Sequence, residues 1–178
     1  VIAAIATALG SRRVGNDEIA ALCPAWTADE ILKRIGVETR YWVGDDEDAL
    51  TLALAACRQL LAETSLSVGD IDLIVCATGT PLYASPSLAA LLQHELSAGG
   101  TETATYDISA ACTGYLTGLQ IAYDYLRSRP AQRVLLVTSE TLSRKLDLSS
   151  RDTAPLFGDA ASATLLIGAQ CAATVPPV

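Results

Sequence analysis

Three observations predict an α/β fold. Five short apolar segments, rich in Val, Ile, Leu and Ala, have the length and composition of buried strands. Helix-forming segments alternate with them. Gly, Pro and polar clusters mark the junctions, and 51% of the 178 residues are hydrophobic, which supports a real core. Strands alternating with helices build a domain around a mostly parallel sheet.

Residues 1–9 (VIAAIATAL) read as a buried strand. Residues 10–15 read as a turn with two arginines. Asn16 caps a short helix over 17–22, which Pro24 ends. Thr27 and Glu30 have capping-box spacing, so a second helix runs through Ile31, Leu32 and Ile35 until Gly36 stops it. Residues 37–43 are extended. The acidic loop 44–48 precedes 49–63 (ALTLALAACRQLLAE), a strong helix former whose apolar residues nearly encircle it and predict burial. A connection at 67–70 leads into strand 71–77 (IDLIVCA) and the loop 78–85. Pro86 opens a helix to about Ser97, and Gly99-Gly100 breaks the chain. Strand 103–108 passes through Ser109, Ala110 and Ala111 into a helix opening at Cys112, with Gly114 and Gly118 on one face. Pro130 ends that helical region. Strand 133–139 (RVLLVTS), an irregular polar segment at 141–155, a tight turn at 157–160 and a final strand at 161–168 (ASATLLIG) complete the chain.

Composition excludes several functions. A net charge of -8 argues against a nucleic-acid binder, which needs a basic face. No apolar run approaches the roughly 20 residues of a membrane helix, and residues 1–9 lack the basic lead of a signal peptide. No Gly-rich phosphate loop opens a helix, and no internal repeat is visible. The five cysteines are odd in number and widely spaced, without a CxxC pair. That pattern predicts reduced thiols in a cytosolic protein, without disulfide or zinc site. There is no methionine, so Val1 follows removal of an initiator or excision from something longer, and the single histidine is His94.

Cys112 is the candidate nucleophile. Where a strand turns into a helix, free N–H groups and the positive helix end point at the sulfur, a setting suited to a nucleophilic thiolate. Small neighbours leave room for a substrate. The plain alternative is a small buried hydrophobe among alanines. Ligands of parallel sheets collect at the C-terminal strand ends, and Cys112, loop 78–85 and loop 140–151 all follow strands.

The segment Asp107-Ile-Ser-Ala-Ala-Cys112-Thr-Gly114-Tyr resembles the nucleophile segment of the ketoacyl-acyl-carrier-protein synthase III group, in the thiolase-like superfamily. Three other stretches agree in order and spacing. Arg34-Ile-Gly36-Val-Glu-Thr-Arg40 is similar to that group's R-x-G-I-x-x-R segment. Ile74-Val-Cys-Ala-Thr78, leading to Pro86-Ser87, resembles its second strand and following helix. Phe157-Gly158-Asp159-Ala160-Ala161 is similar to its F-G-D-G-A turn. The resemblance covers essentially the whole chain. It implies that residues 1–178 are one domain, the N-terminal half of a two-halved thiolase-like enzyme. The expected half-fold is a five-stranded, mostly parallel or mixed sheet with helices on both faces. The His and Asn that activate the acceptor would lie in a C-terminal half; His94 matches neither and reads as a surface or packing residue.

The resemblance implies attack of the Cys112 thiolate on a thioester carbonyl to give an acyl-enzyme. Backbone N–H groups, including that of Cys112, would hold the oxyanion. Decarboxylative Claisen condensation in fatty acid or polyketide biosynthesis would follow. The implied substrates are acyl-CoA, acyl carrier protein or both, with no cofactor, in a cytoplasmic homodimer. Arg34 and Arg151 match positions that contact the coenzyme A nucleotide, a role that suits guanidinium; the alternative is solvated surface. Glu30 stands where a Trp commonly stacks on adenine, and Trp26, one turn earlier, is the candidate substitute or a packing residue. Ser85 replaces what is often a Phe lining the acyl pocket across the dimer. That implies room for a longer or branched acyl group and points away from acetyl-CoA.

Sister families fit less well. Thr78-Gly-Thr80-Pro81 lacks the glutamate of hydroxymethylglutaryl-CoA synthases, and Thr113-Gly114-Tyr115 does not resemble the elongating synthases. Chalcone-synthase-like enzymes also differ around the cysteine. Two other functions stay open: transfer of the acyl group to an alcohol or amine, and a non-catalytic partner subunit. Arg127, Arg129, Arg133, Arg144 and Lys145 are candidates for a basic patch facing an acidic carrier, or simply solvated surface.

Overall fold

The computed structural model describes residues 1–97 and 102–171. In chain order its elements are β1 (Ile2–Leu9), β2 (Arg12–Gly15), α1 (Asn16–Leu22), α2 (Ala28–Ile35), β3 (Thr39–Trp42), α3 (Ala49–Thr64), β4 (Leu73–Ala77), α4 (Leu88–Ser97), β5 (Ala104–Ile108), α5 (Gly114–Ser128), β6 (Arg133–Glu140) and β7 (Ala160–Ile167). They fall into two compact units: Val1–Ala8, Ala49–Glu140 and the chain from Ala161 form the first, and Leu9–Asp48 with Thr141–Ala160 form the second.

The first unit holds a five-stranded sheet in the order β1-β7-β6-β4-β5. The central strand β4 runs parallel to both neighbours, with Val75 opposite Tyr106 on β5 and Leu136 on β6. Two observations reverse the direction at β7. Gly168 N–H donates to the Gln132 carbonyl at the start of β6, while Ser162 meets Thr138 near its end. Val1 and Ile167 exchange two 2.9 Å bonds, the signature of an antiparallel pair. The sheet is therefore mixed, with helices on both faces as expected.

The unbroken apolar runs of β4 and β6 follow from that coverage. Leu73, Val75, Val134 and Leu136 point to one face and pack on Ala122 and Leu126 of α5. Ile74, Cys76, Leu135 and Val137 point to the other and are equally sealed from solvent. There α3 packs on β6, and α4 packs on β4 and β5. The Ser139 hydroxyl donates to the Ala49 carbonyl at 2.7 Å and fixes the start of α3.

Local expectations fail where tertiary contacts intervene. The segment 1–9 forms a strand, but Ile5 and Leu9 are exposed and only Ala4 and Ala6 are buried hydrophobics within it. It is an edge strand, so burial differs between its two faces. The helix expected from Pro86 begins two residues later, at Leu88. Asn16 does not cap α1; Gly15 occupies that position. Residues 12–15, read as a turn, pair antiparallel with β3. The Gly99-Gly100 break lies outside the described residues. His94 sits exposed in the last turn of α4.

In the second unit, Val14, Ile19, Ile31 and Trp42 form a small core. The capping box of α2 is present on both sides: the Glu30 N–H donates to the Thr27 hydroxyl, and the Glu30 carboxylate accepts from the Thr27 N–H at 2.9 Å. Gly36 ends α2 in the left-handed region, φ 77°, where a side chain would be strained. Asn16 instead donates to the Val37 carbonyl and accepts from Arg40. Asp159, 1% exposed, accepts from the N–H groups of Val43 and Ser143 and from the Ser143 hydroxyl.

In the first unit α5 packs tightly on the sheet. A Cβ at Gly118 would stand 2.3 Å from Leu136 Cδ1, which is itself fully buried. Gly118→Val adds three carbons where none fit. We expect a loss of about 2–3 kcal/mol, read as a Tm lower by several degrees in a thermal melt; an unchanged Tm would show that the helix can lift freely.

Candidate active site

The site begins at the end of β5. Residues Ala111–Thr113 form a single 3-10 turn, and α5 starts only at Gly114. Cys112 is therefore on the turn before the helix, not its first residue. Ala111 has φ of 45°, an unfavourable angle for a residue with a Cβ, costing about 1–2 kcal/mol. That angle swings the chain sharply from strand to helix. Bonds from the Thr113 and Gly114 N–H groups to the Ala110 and Ala111 carbonyls close the turn, and the Thr113 hydroxyl adds a third to Ala110. The Cys112 N–H stands outside these bonds. The alternative of a buried hydrophobe is ruled out: Cys112 is exposed, whereas Cys23, Cys57, Cys76 and Cys171 are buried.

Two glycines let this turn sit at the sheet edge. A Cβ on Gly114 would lie 3.1 Å from the Ala77 Cβ at the end of β4, and Gly118 meets Leu136 one turn on. Both glycines face the sheet, as their spacing implies.

The loop after β4 shares that edge, because β4 and β5 are parallel neighbours. Two carboxylates hold it. Glu140, at the end of β6, accepts from the Gly79 N–H at 2.6 Å and the Thr80 hydroxyl at 2.8 Å. Asp107, on β5, accepts from the N–H groups of Leu88 at 2.7 Å and Ala89 at 2.9 Å. Asp107 thus caps α4, while Ser87 bonds the next N–H, that of Ala90. Ser85 is exposed in the loop and is joined to Pro86 by a cis peptide. The roles of Asp107 and Glu140 were not read from the sequence. The available signal was a single acid at the C-terminal end of each of two otherwise uncharged strand ends.

The predicted nucleotide contacts come together in the second unit. The Arg34 and Arg151 guanidinium carbons lie 5.4 Å and 5.6 Å from the Trp26 ring centroid, within cation–π range. Arg151 also pairs with Asp152 at 3.4 Å on the surface. Glu30 is accounted for by its cap. Its carboxyl is held below the ordinary range by the Thr27 N–H, with the Thr27 hydroxyl and then Arg34 acting the same way. Arg40 is a structural residue: 4% exposed, it donates to Asn16 and to the Pro155 carbonyl, and burial lowers its pKa.

The suggested basic patch divides. Arg133 opens β6, Arg127 is in the last turn of α5 and Arg129 follows that helix, so these three lie toward the N-terminal strand ends, away from Cys112. Arg127 and Arg129 lie over Tyr123 and Tyr125. In the second unit Arg144 donates to the Gly44 carbonyl. Among the described residues there is no group of three or more His, Cys, Asp or Glu able to hold a metal ion, and no helix is long and apolar enough to cross a membrane.

A mixed five-stranded sheet with an exposed cysteine on a strand–turn–helix junction at its end is the arrangement of a thiolase-like fold. Known proteins make the class specific. Residues 106–175 match the family model of 3-oxoacyl-[acyl-carrier-protein (ACP)] synthase III. The beta-ketoacyl-[acyl-carrier-protein] synthase III of Bartonella bacilliformis is 38% identical over 167 residues, 93% of this chain and 50% of the relative. A crystal structure of a 3-oxoacyl-(acyl-carrier-protein) synthase III superposes with a TM-score of 0.88 at 35% identity, covering 94% of this chain and 50% of that one. The priming beta-ketosynthase of the R1128 polyketide biosynthetic pathway follows with a TM-score of 0.87 and 30% identity, covering 94% of this chain and 49% of that one. The chain is ketoacyl-acyl-carrier-protein synthase III-like, and it spans about half the length of the curated relatives it matches.

The contrast among the five thiols is directly testable. Burial pushes the Cys57 thiol up to about 12, and burial, followed by the nearby Asp107, pushes Cys76 upward as well. A thiol so raised stays protonated and unreactive below that pH. Brief iodoacetamide treatment of the native protein at pH 8 should add one carbamidomethyl group, at Cys112. Unfolding in guanidinium should then expose the other four. Native labelling of Cys57 or Cys76 at a comparable rate would contradict this geometry.

Proposed function

We propose that this chain is the acyl-accepting half of a synthase III-type condensing enzyme. The observation that carries the proposal is the exposed Cys112 on its tight turn, within a segment that the family model matches. Its thiolate attacks the carbonyl of an acyl thioester, the carbonyl oxygen takes up the negative charge, and the thiol of the donor leaves. The Cys112 N–H, free of the turn's own bonds, is placed to donate to that oxygen. The product is an acyl-cysteine. Condensation with a malonyl thioester then requires the His and Asn of a second half, as in fatty acid or polyketide biosynthesis.

The proposed donors are acyl-CoA or acyl carrier protein, with no cofactor. Arg34 and Arg151 would meet the nucleotide phosphates while Trp26 offers a stacking face. Ser85 would leave room for a longer or branched chain. The exposed side chains of Leu116 and Tyr123 on α5, and of Ile5 on β1, form surface suited to cover by the second half. β5 is an open sheet edge, and we take it as the pairing edge of a homodimer in the cytoplasm.

Intact mass spectrometry after exposure to acyl-CoA donors of increasing length tests the proposal. This chain, or any longer polypeptide that contains it, should gain the mass of one acyl group, and Cys112→Ala should gain none. An adduct that persists in Cys112→Ala would move the nucleophile elsewhere. No adduct on the full-length protein with any CoA or carrier donor would favour a non-catalytic subunit instead.

A further inference from the structure

We infer that Asp107 and Glu140 are positioning residues that set the loop after β4 against the Cys112 edge and thereby govern which acyl chains are accepted. The inference rests on the proposed acylation of Cys112 and adds two side chains that do not touch the acyl group.

The argument starts from the register. Cys76 on β4 lies opposite Asp107 on β5 and opposite Val137 on β6, three residues before Glu140. The two carboxylates therefore flank the end of the central strand. Glu140 binds the first residues of the loop, Gly79 and Thr80. Asp107 binds the first residues of the helix that ends it, Leu88 and Ala89. The seven-residue stretch between, residues 81–87, which includes Ser85, is thus anchored at each end from a different strand. Asp107 is also five residues before Cys112, on the strand that delivers it.

Each carboxylate has both oxygens committed to donors. Among the described residues neither has a Lys or Arg within ion-pair distance. These acids serve as double acceptors and have no cationic partner. Cys76 reports the same arrangement: after burial, Asp107, Cys57 and Glu140 all push its thiol upward, as groups close to the strand end would.

The two acids differ in what an amide would do. Asp107 faces two backbone N–H groups, which can only donate. Asp107→Asn turns an NH2 against one of them and loses that bond. Glu140 faces one N–H and one hydroxyl. Glu140→Gln keeps both contacts, because the Thr80 hydroxyl can rotate and accept.

The experiment compares Asp107→Asn, Glu140→Gln and Glu140→Ala with the unaltered full-length protein in three measurements. These are the ratio of acylation rates for short and long acyl-CoA donors, the iodoacetamide alkylation rate of Cys112, and hydrogen exchange over residues 78–90. Asp107→Asn should change the chain-length ratio about ten-fold. Its alkylation rate should stay within about two-fold, and exchange in 78–90 should accelerate. Glu140→Ala should act in the same direction and Glu140→Gln much less. An unchanged ratio, acylation and alkylation falling together, or unaltered exchange would overturn the inference. If Asp107→Asn does not fold, the Glu140 pair decides. If no donor acylates the unaltered protein, the proposed function fails; unaltered exchange in the variants would then overturn the positioning on its own.

Discussion

The closeness of α5 to the sheet is the constraint on which the first unit depends. A helix can approach a sheet this closely only where it carries no side chain, and Gly114 and Gly118 face Ala77 and Leu136 at distances that exclude a Cβ or leave it no slack. Holding the helix down brings its N-terminal turn to the end of β4. The chain must then leave β5 and enter α5 within a few residues, and Ala111 takes the left-handed angle that makes this possible. Cys112 follows on the outside of that bend. Its exposure is thus a consequence of packing several residues away, since the same cysteine on a continuous helix or strand could have been buried with its neighbours.

Among the described residues, buried or half-buried carboxylates with no cation at ion-pair distance recur as loop anchors. Asp159 gathers Val43 and Ser143 in the second unit, and Asp107 and Glu140 hold the loop after β4 in the first. Hydrogen bonds to charged acceptors are worth about 1.5–3 kcal/mol each, and an acid with two committed oxygens fixes backbone more firmly than a salt bridge would. Long cationic side chains keep several rotamers, whereas peptide N–H groups do not. Rigid loops at strand ends suit the proposed function, which requires selection among acyl chains of similar chemistry. One methylene alone changes transition-state binding by only about 1–3 kcal/mol.

The second unit places two arginines around one indole. Arg34 and Arg151 are 117 positions apart in sequence, yet both approach Trp26. Glu30, the residue that departs from the family pattern, turns its carboxylate back onto Thr27. Its first role is to begin α2, which explains an acid at that position without reference to a ligand.

Sequence alone determined the alternation of strands and helices, the capping box at Thr27 and Glu30 and the glycine face of α5, and it singled out Cys112 as the candidate nucleophile. These features are local. They depend on periodicities of two and 3.6, on cap chemistry and on a short motif, all carried by residues near one another in the chain. Tertiary structure decided what local pattern could not. It exposed one face of β1 by placing that strand at an edge, and it drew Asn16 from its capping role to Val37 and Arg40. It started α4 at Leu88, where Asp107 supplies the cap from another strand, and it put Cys112 on a 3-10 turn ahead of α5. It also carried Arg127, Arg129 and Arg133 toward the far end of the sheet. In each case the deciding partner lies many residues away or follows from sheet order, and a carboxylate or a side-chain amide takes whichever donors the folded backbone brings within about 3 Å.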